Sequence, residues 1–476
     1  MDKIDKRDVI YINGEWVPST GQGSLPVFDS ATEERIGSTP DGTAEDVDLA
    51  ARAAAAAFDA WSQSSIDSRA RILNAIADGI DRRRDEITTV ITREVGQPFQ
   101  AALTSQTALG VADLRSMAEV LPQVQWEERI GSALVVREPV GVVGAITPWN
   151  APLHQICIKV GAAIAAGCTV VLKPSEVAPF SAFILTEIID DFLPKGVFNL
   201  VSGTGPVVGE AIAVHPLIDM VSLTGSVRAG TRVMELASPT VKRVALELGG
   251  KSPNVILPDG DFERAVADGI EDLFRNSGQV CAGLSRMIVP RAELGRVERL
   301  AAAKAESYAL GDPFDAATTL GPVASETQRD RIREYIRAGL AEGAKLVTGG
   351  PEAPEGLDRG YYIRPTVFSD VRNDMTIARE EIFGPVLTIL PYDSEEEAVA
   401  MANDSLYGLA GSVWSADEEH ARRIARRLRV GRVRVNGAPL NRLAPHGGYK
   451  QSGIGREWGR YGLEEFLEVK SMLLQD

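Results

Sequence analysis

Cysteine is scarce in this chain: Cys157, Cys168 and Cys281 are the only ones among 476 residues. So few scattered thiols build neither a disulfide framework nor a zinc cluster, which points to a reducing compartment and to no metal site. Long apolar runs are lacking too. The longest, 160–172, is shorter than the ~20 residues a membrane helix needs and contains a glycine that reads as a helix stop. The N-terminus, Met1 to Asp8, is charged without an apolar core and does not read as a signal peptide. Positive charge is in deficit: 50 Lys and Arg against 66 Asp and Glu leave a net charge of -16, and the pI is about 4.9. That balance repels phosphate backbones and anionic bilayers, so neither nucleic acid nor membrane is an expected partner. A small anionic ligand stays allowed, because local backbone N–H groups outweigh distant net charge. The expected location is cytoplasmic. What remains is ordinary globular composition, 44% apolar and 24% charged, at a length that calls for two or three domains.

Local patterns then give an architecture. Val9 to Ile12 reads as a strand turning at Asn13-Gly14. Thr43 precedes Asp46 with capping-box spacing and opens an alanine-rich helix toward Trp61, and in the next helix Ile72, Leu73, Ile76 and Ile80 share a face. From Gly141 the text becomes regular. Apolar β-branched runs beginning near Gly141, Thr169, Val197, Asp219 and Arg243 alternate with helical segments 153–166, 181–192, 206–214 and 226–236. This is the pattern of a parallel sheet covered on both faces. Ligands of such sheets sit at the carboxyl ends of the strands, which singles out 147–150, 173–176, 202–205, 224–226 and 248–250. A second α/β region follows Gly250, with strands at 286–290, 344–348, 385–391, 409–413 and 433–436 and helices at 326–342 and 418–428. Segments 133–138 and 465–474 read as extended, and 349–360 as a loop.

Several residues offer chemistry. Cys281, in Gly278-Gln279-Val280-Cys281-Ala282-Gly283, has small neighbours that leave a thiol accessible. A buried structural cysteine is the plainer alternative, and it suits Cys157 and Cys168. Glu247, in Ala245-Leu246-Glu247-Leu248-Gly249-Gly250-Lys251, places a carboxylate at the end of a buried strand. Such a group is costly unless it is functional or paired, for instance with Lys251. Asn150, in Pro148-Trp149-Asn150, either donates to a developing oxyanion or caps the following helix. Lys173-Pro174-Ser175-Glu176 offers a cation and a carboxylate for the hydroxyls of an adenosine ribose, or is a surface turn. Gly203-Thr204-Gly205 with Gly209 only partly mimics a dinucleotide turn, because its spacing departs from G-x-G-x-x-G. Leu223-Thr224-Gly225-Ser226 sets a hydroxyl at a helix N-terminus, suited to a phosphate or to simple capping.

Together these segments resemble the aldehyde dehydrogenase superfamily. The resemblance runs from Tyr11-Ile12-Asn13-Gly14-Glu15-Trp16 through Glu380-Glu381-Ile382-Phe383-Gly384-Pro385-Val386 to Gly447-Gly448-Tyr449-Lys450-Gln451-Ser452-Gly453. It implies an NAD(P)-dependent, non-acylating, hydrolytic enzyme that oxidises an aldehyde to a carboxylic acid. In that reading Cys281 is the nucleophile and Asn150 shares an oxyanion hole with the Cys281 backbone N–H. Glu247 is the base that activates water against a thioester, and Lys159 and Glu457 belong to the proton-transfer network. The resemblance also implies a cofactor cleft formed by Thr147, Pro148, Trp149, Ser175, Gly205, Gly209, Thr224, Gly225, Leu248 and Gly249. Lys173 and Glu176 would hold the adenosine ribose, Ser226 the pyrophosphate and Glu381 the nicotinamide ribose, with Phe383 beside the ring. Glu176 favours NAD over NADP, since a 2′-phosphate against a carboxylate suffers like-charge repulsion.

The fold implied is α/β, with two doubly wound parallel-sheet domains plus a small β oligomerisation flap. A Rossmann-like NAD-binding domain would take 1–122 and 139–249, a catalytic domain 250–440, and the flap with the C-terminal segment 123–138 and 441–476. Edge pairing between subunits implies a homodimer or homotetramer. Departures from the family fall around the expected aldehyde tunnel. His154 and Gln155 are more polar than usual there, Val280 precedes the nucleophile, and His446 stands where phenylalanine is commoner. No basic pair stands out as a carboxylate clamp, so a semialdehyde acid is not specially favoured and the particular aldehyde is left open. The alternatives carry their own requirements. CoA-acylating relatives typically lack the glutamate matching Glu247, and a structural protein on this fold would lose Cys281. A cysteine hydrolase needs a histidine near the thiol, yet His154, His215, His420 and His446 show no pairing motif.

Overall fold

The computed structural model describes residues 7–475. Residues 1–6, and with them most of the charged N-terminal segment judged against a signal peptide, lie outside the described residues, as does Asp476.

The first sheet has eight strands in the order Gly453–Ile454, Arg243–Glu247, Met220–Thr224, Val142–Ile146, Thr169–Lys173, Phe198–Leu200, Val9–Ile12 and Glu15–Pro18. Its five central strands are parallel, and antiparallel pieces close both edges. Side chains alternate between faces, as strand geometry requires. Val143, Ala145, Val170 and Leu172 enter one core, while Val142, Ile146, Val171 and Val221 enter another. Each such side chain, fully buried, contributes roughly 1.5–3 kcal/mol relative to exposure. Burial on both sides explains why these strands read as continuous apolar runs.

The sheet is set by devices visible in the chain. Asn13 and Gly14 take φ of 55° and 77°, the geometry of the tight hairpin turn. Thr43 and Asp46 form the expected capping box on helix Ala44–Ser62. Helix Pro152–Ala166 is buried along its whole length and stops at Gly167, which is left-handed at φ 96°. The segment expected as one helix over 206–214 is instead a π-turn, Gly205–Gly209, running into a short helix, Glu210–Val214.

The second sheet has seven strands, Lys345–Thr348, Thr366–Ser369, Val386–Tyr392, Arg286–Pro290, Pro253–Ile256, Ala410–Trp414 and Arg432–Val435 in spatial order. All neighbours are parallel except the first pair. The third sheet joins Leu467–Leu473, Ala133–Pro139 and Glu127–Ile130. The extended segments far apart in sequence are therefore partners in space. Among the described residues no helix is long and apolar enough to cross a membrane.

Candidate active site

Taken in chain order, the five parallel strands of the first sheet lie as 3-2-1-4-5, so the winding reverses between Val142–Ile146 and Met220–Thr224. At such a reversal the loops after the two strands run in opposite directions, and the crevice expected between them at the carboxyl ends is the usual place for a dinucleotide. Residues at this rim carry unmet hydrogen-bonding capacity. Among the described residues, the buried hydroxyls of Thr147 and Thr224 have no partner. A Cβ on Gly205 would meet nothing within 4 Å, whereas one on Gly209 would touch the Ile146 and Lys173 side chains at 3.9 Å. Lys173 Nζ donates to Glu176 Oε2 at 3.1 Å, and burial pushes its amine down. Ser175 lies within the same turn, its Oγ accepting from the Val177 N–H at 3.3 Å. Ser226 caps helix Val227–Ala237, its Oγ accepting from the Ala229 N–H at 3.2 Å, with Gly225 just before it. The Gly203-Thr204-Gly205 turn follows the third strand rather than the first, which explains its departure from the dinucleotide spacing.

Across the crevice stands the second sheet's contribution. Glu381 Oε1 accepts from the Gly250 N–H at 3.0 Å, and a Cβ on Gly249 would sit 2.2 Å from its Oε2. A side chain at 249 would push the Glu381 carboxyl out of this position. Burial raises the Glu381 carboxyl to about 7 against the Gly250 N–H, which opposes the shift. Phe383, left-handed at φ 59°, meets the Trp149 ring edge-on at 5.4 Å beyond Pro148. Leu248 N–H is taken by the Ser452 carbonyl at 2.9 Å. Donors, acceptors and an aromatic wall thus fit a dinucleotide.

Cys281 lies between the two sheets, in the wall of a cavity of about 260 Å³ that also exposes Asn150, Glu457, His154, Gln155, Val280 and His446. The loop before it is strained. Asn276 and Ser277 take φ of 52° and 56°, a conformation costing roughly 1–3 kcal/mol per residue. Hydrogen bonds offset that cost: Asn276 Nδ2 to the Asn150 carbonyl (2.8 Å), Ser277 Oγ to the Gly321 carbonyl (2.8 Å), and the Ala324 N–H to Gln279 Oε1 (2.8 Å). Asn150 does not cap the following helix, whose N-cap is Ala151. Its Nδ2 donates instead to the Gln279 carbonyl at 2.9 Å, beside the nucleophile. An amide has two such hydrogens, so one stays free for the cavity.

Glu247 ends its strand with neither carboxylate oxygen hydrogen-bonded. The alternative of an ion pair with Lys251 fails, since Lys251 Nζ is itself buried without a partner and its amine is lowered to about 7 by burial. Burial first, then the like charge of Glu457, holds the Glu247 carboxyl well above its usual range, and Lys159 opposes the shift. Lys159 Nζ contacts Glu457 Oε1 at 2.6 Å and Ser222 Oγ at 3.2 Å. Cys281 is pushed up to about 12, by burial and then by the carboxylates of Glu381 and Glu247, with Arg432 pulling the other way.

The structure also assembles groups that sequence reading left apart. Arg275, Arg432 and Arg442 all reach the cavity wall. Arg442 Nη1 contacts Asp113 Oδ1 at 3.2 Å, and His154 Nδ1 contacts Asp113 Oδ2 at 2.5 Å. Arg432 has no carboxylate within 4.0 Å among the described residues, and its Nε is buried without a partner. His154 and His446 do approach the nucleophile, but among the described residues neither is hydrogen-bonded to it. No cluster of potential metal ligands occurs among the described residues.

The arrangement has close counterparts. The aldehyde dehydrogenase family model matches residues 16–472. A 3-succinoylsemialdehyde-pyridine dehydrogenase from Pseudomonas sp. is 52% identical over 97% of this chain and 98% of its own. Among solved structures, mutant aldehyde dehydrogenase C from Pseudomonas syringae, complexed with NAD+ and octanal, superposes with a TM-score of 0.97 at 49% identity, covering 98% of this chain and 97% of that one. Aldehyde dehydrogenase from Mycobacterium tuberculosis, complexed with NAD+, gives 0.96 at 41%, covering 99% of each chain. A match of this extent, on a site of this geometry, makes the chain a member of the aldehyde dehydrogenase family.

Proposed function

We propose that the chain oxidises an aldehyde to a carboxylic acid through covalent attachment to Cys281, with NAD preferred over NADP. The observation that carries this is a half-buried thiol and an amide with a free N–H in one cavity wall, with the unpartnered Glu247 carboxyl near enough to act on the thiol. The Cys281 thiol gives up its proton to water, the thiolate sulfur bonds to the carbonyl carbon, and the displaced electron pair goes to oxygen. Asn150 Nδ2 and the Cys281 backbone N–H hold that oxyanion. NAD, when bound in the crevice, supplies the acceptor for the hydrogen and electron pair that leave the former aldehyde carbon. Thr147, Pro148, Trp149, Gly205, Gly209, Thr224, Gly225, Leu248 and Gly249 would form its cleft. Lys173, Ser175 and Glu176 would hold the adenosine ribose, Ser226 the pyrophosphate, and Glu381 with Phe383 the nicotinamide end. Collapse leaves a thioester on Cys281. Glu247 then takes a proton from water, the new C–O bond forms, the C–S bond breaks, and Lys159 and Glu457 carry the proton onward.

Residues 1–122 and 139–249 form the NAD-binding domain, 250–440 the catalytic domain, and 123–138 with 441–476 the assembly flap and C-terminal segment, the last of which also brings His446 and Glu457 to the site. Strand Leu467–Leu473 is exposed at every position after the first, which supports edge pairing into a homodimer or homotetramer. A cytoplasmic location suits the three unpaired thiols. Within the reaction, Arg432, whose Nε is buried without a partner among the described residues, and polar His154 and Gln155 favour aldehydes carrying a distal oxygen acceptor over plain alkanals. The test is absorbance at 340 nm with NAD and an aldehyde panel that includes octanal and keto-aldehydes. Reduction by wild type and none by Cys281→Ala is expected. Failure across the panel with NAD, NADP and CoA, or an active Cys281→Ala, would overturn the reading.

A further inference from the structure

His446 is the best-placed donor for the carboxyl of Glu247. Its backbone exchanges both hydrogen bonds with Glu457, N–H to carbonyl at 2.8 Å and carbonyl to N–H at 2.7 Å. Its ring stacks on Trp458 at 4.7 Å with the planes 26° apart. These contacts leave the ring little freedom. Arg432 Nη1 lies 3.3 Å from His446 Nδ1. A guanidinium only donates, so Nδ1 must accept, and the ring proton resides on Nε2. That nitrogen faces Glu247 Oε2 at 3.8 Å. A small rotation of the glutamate closes this gap to hydrogen-bond length. The next residue reinforces the aim: Gly447, at φ 153°, brings its backbone so close that a Cβ would lie 2.8 Å from Glu247 Oε1.

We infer that His446, as a neutral Nε2–H donor fixed by Arg432 and Trp458, is a positioning residue that stabilises ionised Glu247 during thioester hydrolysis. The inference rests on the proposed function, since it presumes an acyl group on Cys281 and Glu247 as the base. His446 transfers no proton in the step. Water loses its proton to Glu247, oxygen bonds to the acyl carbon, and the sulfur leaves with the C–S pair. Other charged groups set the background without supplying this bond. Glu457, Lys159, Arg456 and Glu465 act on Glu247, while Arg432, His154, Arg456 and Lys159 act on His446. Burial and those cations hold the imidazole well below its usual range, so it stays neutral while the glutamate titrates.

The test needs no cofactor. Cys281 of the full chain is acetylated with p-nitrophenyl acetate, excess ester is removed, and decay of the acetyl-enzyme is followed by intact-mass spectrometry across pH. Wild type is compared with His446→Phe, which keeps the stack on Trp458, and with His446→Gln, which keeps an N–H donor. In His446→Phe the pH at half-maximal decay rises by about one unit and decay below it slows about tenfold, whereas acetylation is retained. His446→Gln stays within about threefold of wild type. Decay of His446→Phe at the wild-type rate and pH would overturn the inference, and so would equal losses in both variants. Failure of wild type to acetylate on Cys281 would instead remove the functional reading beneath it.

Discussion

Replacing Asn150 separates catalysis from stability, because its side chain makes only one structural hydrogen bond. Nδ2 donates to the Gln279 carbonyl at 2.9 Å, and that carbonyl has a second donor, Asn276 Nδ2, at 3.4 Å. The backbone carbonyl of Asn150, held by Gln106 Nε2 at 3.0 Å and Asn276 Nδ2 at 2.8 Å, survives any side-chain change. Asn150→Ala therefore loses one bond without orphaning its acceptor, a cost of about 1 kcal/mol. The catalytic cost is larger. Removing one oxyanion donor from a water-poor site lowers kcat by roughly 10²–10³, or about 3–4 kcal/mol. Asn150→Asp keeps the volume, offers no donor and adds like charge, so it falls at least as far. Steady-state NADH formation gives kcat, and a denaturant midpoint gives stability. A drop in kcat below about tenfold in both variants would refute the oxyanion role, as would a loss matched by an equal loss of stability.

Three further expectations follow from the same geometry. With its thiol pushed up to about 12, Cys281 in the free protein is thiolate to only about one part in 10⁵ at pH 7, so iodoacetamide labelling should rise about tenfold per pH unit from 7 to 10; a plateau below pH 9 would contradict it. Glu176→Ser removes the carboxylate beside Lys173 and should raise kcat/KM for NADP about tenfold or more relative to NAD; an unchanged ratio would remove Glu176 as the discriminator. Arg432→Gln should lower kcat/KM for keto- and carboxy-aldehydes about tenfold more than for alkanals of equal length, whereas an equal fall for all would assign Arg432 to the thiol rather than to the substrate.

The fold was largely legible because the chain's punctuation is local. Capping at Thr43, the Asn13-Gly14 turn and the stop at Gly167 are each decided within a few residues, and all appear as read. Central strands Pro253–Ile256 and Thr366–Ser369 were missed because they are short and mix Pro, Asn, Thr and Ser with their apolar residues. The helix expected over 206–214 carried no sign of its π-turn, since helical periodicity does not separate one hydrogen-bond offset from the next. At the site, Cys281, Glu247 and Asn150 each sat in a motif. Arg275, Arg432 and Arg442 did not, and Asp113 lies hundreds of residues from the Arg442 it pairs with. A pocket wall drawn from several elements has no period and no spacing, so only the folded chain assembles it. Gln279 and Asn276, which brace the nucleophile loop, lay beside the cysteine without any mark of that work.

The electrostatics of the site order its chemistry. Cys281 and Glu247 are both held towards their protonated forms, and the Glu247 carboxylate is one cause of the shift at the thiol. Coupling between two charges is reciprocal, so a thiolate at Cys281 disfavours an ionised Glu247 to the same degree. The cavity therefore accommodates one of the two negative charges far more readily than both. Attack needs the thiolate, and hydrolysis needs the carboxylate, in that sequence. Once the sulfur is acylated it cannot ionise, so a thiolate no longer competes with the carboxylate, while burial and the like charge of Glu457 still hold the Glu247 carboxyl up. An ionised Glu247 has Lys159 as its opposing charge and Glu457 as the remaining like one. Ionised Glu247 is thus disfavoured while a thiolate attacks the aldehyde and meets no such competitor once the thioester exists. Early activation of water would add it to the free aldehyde; formation of the acyl-enzyme removes the negative charge on sulfur that competes with the ionised base.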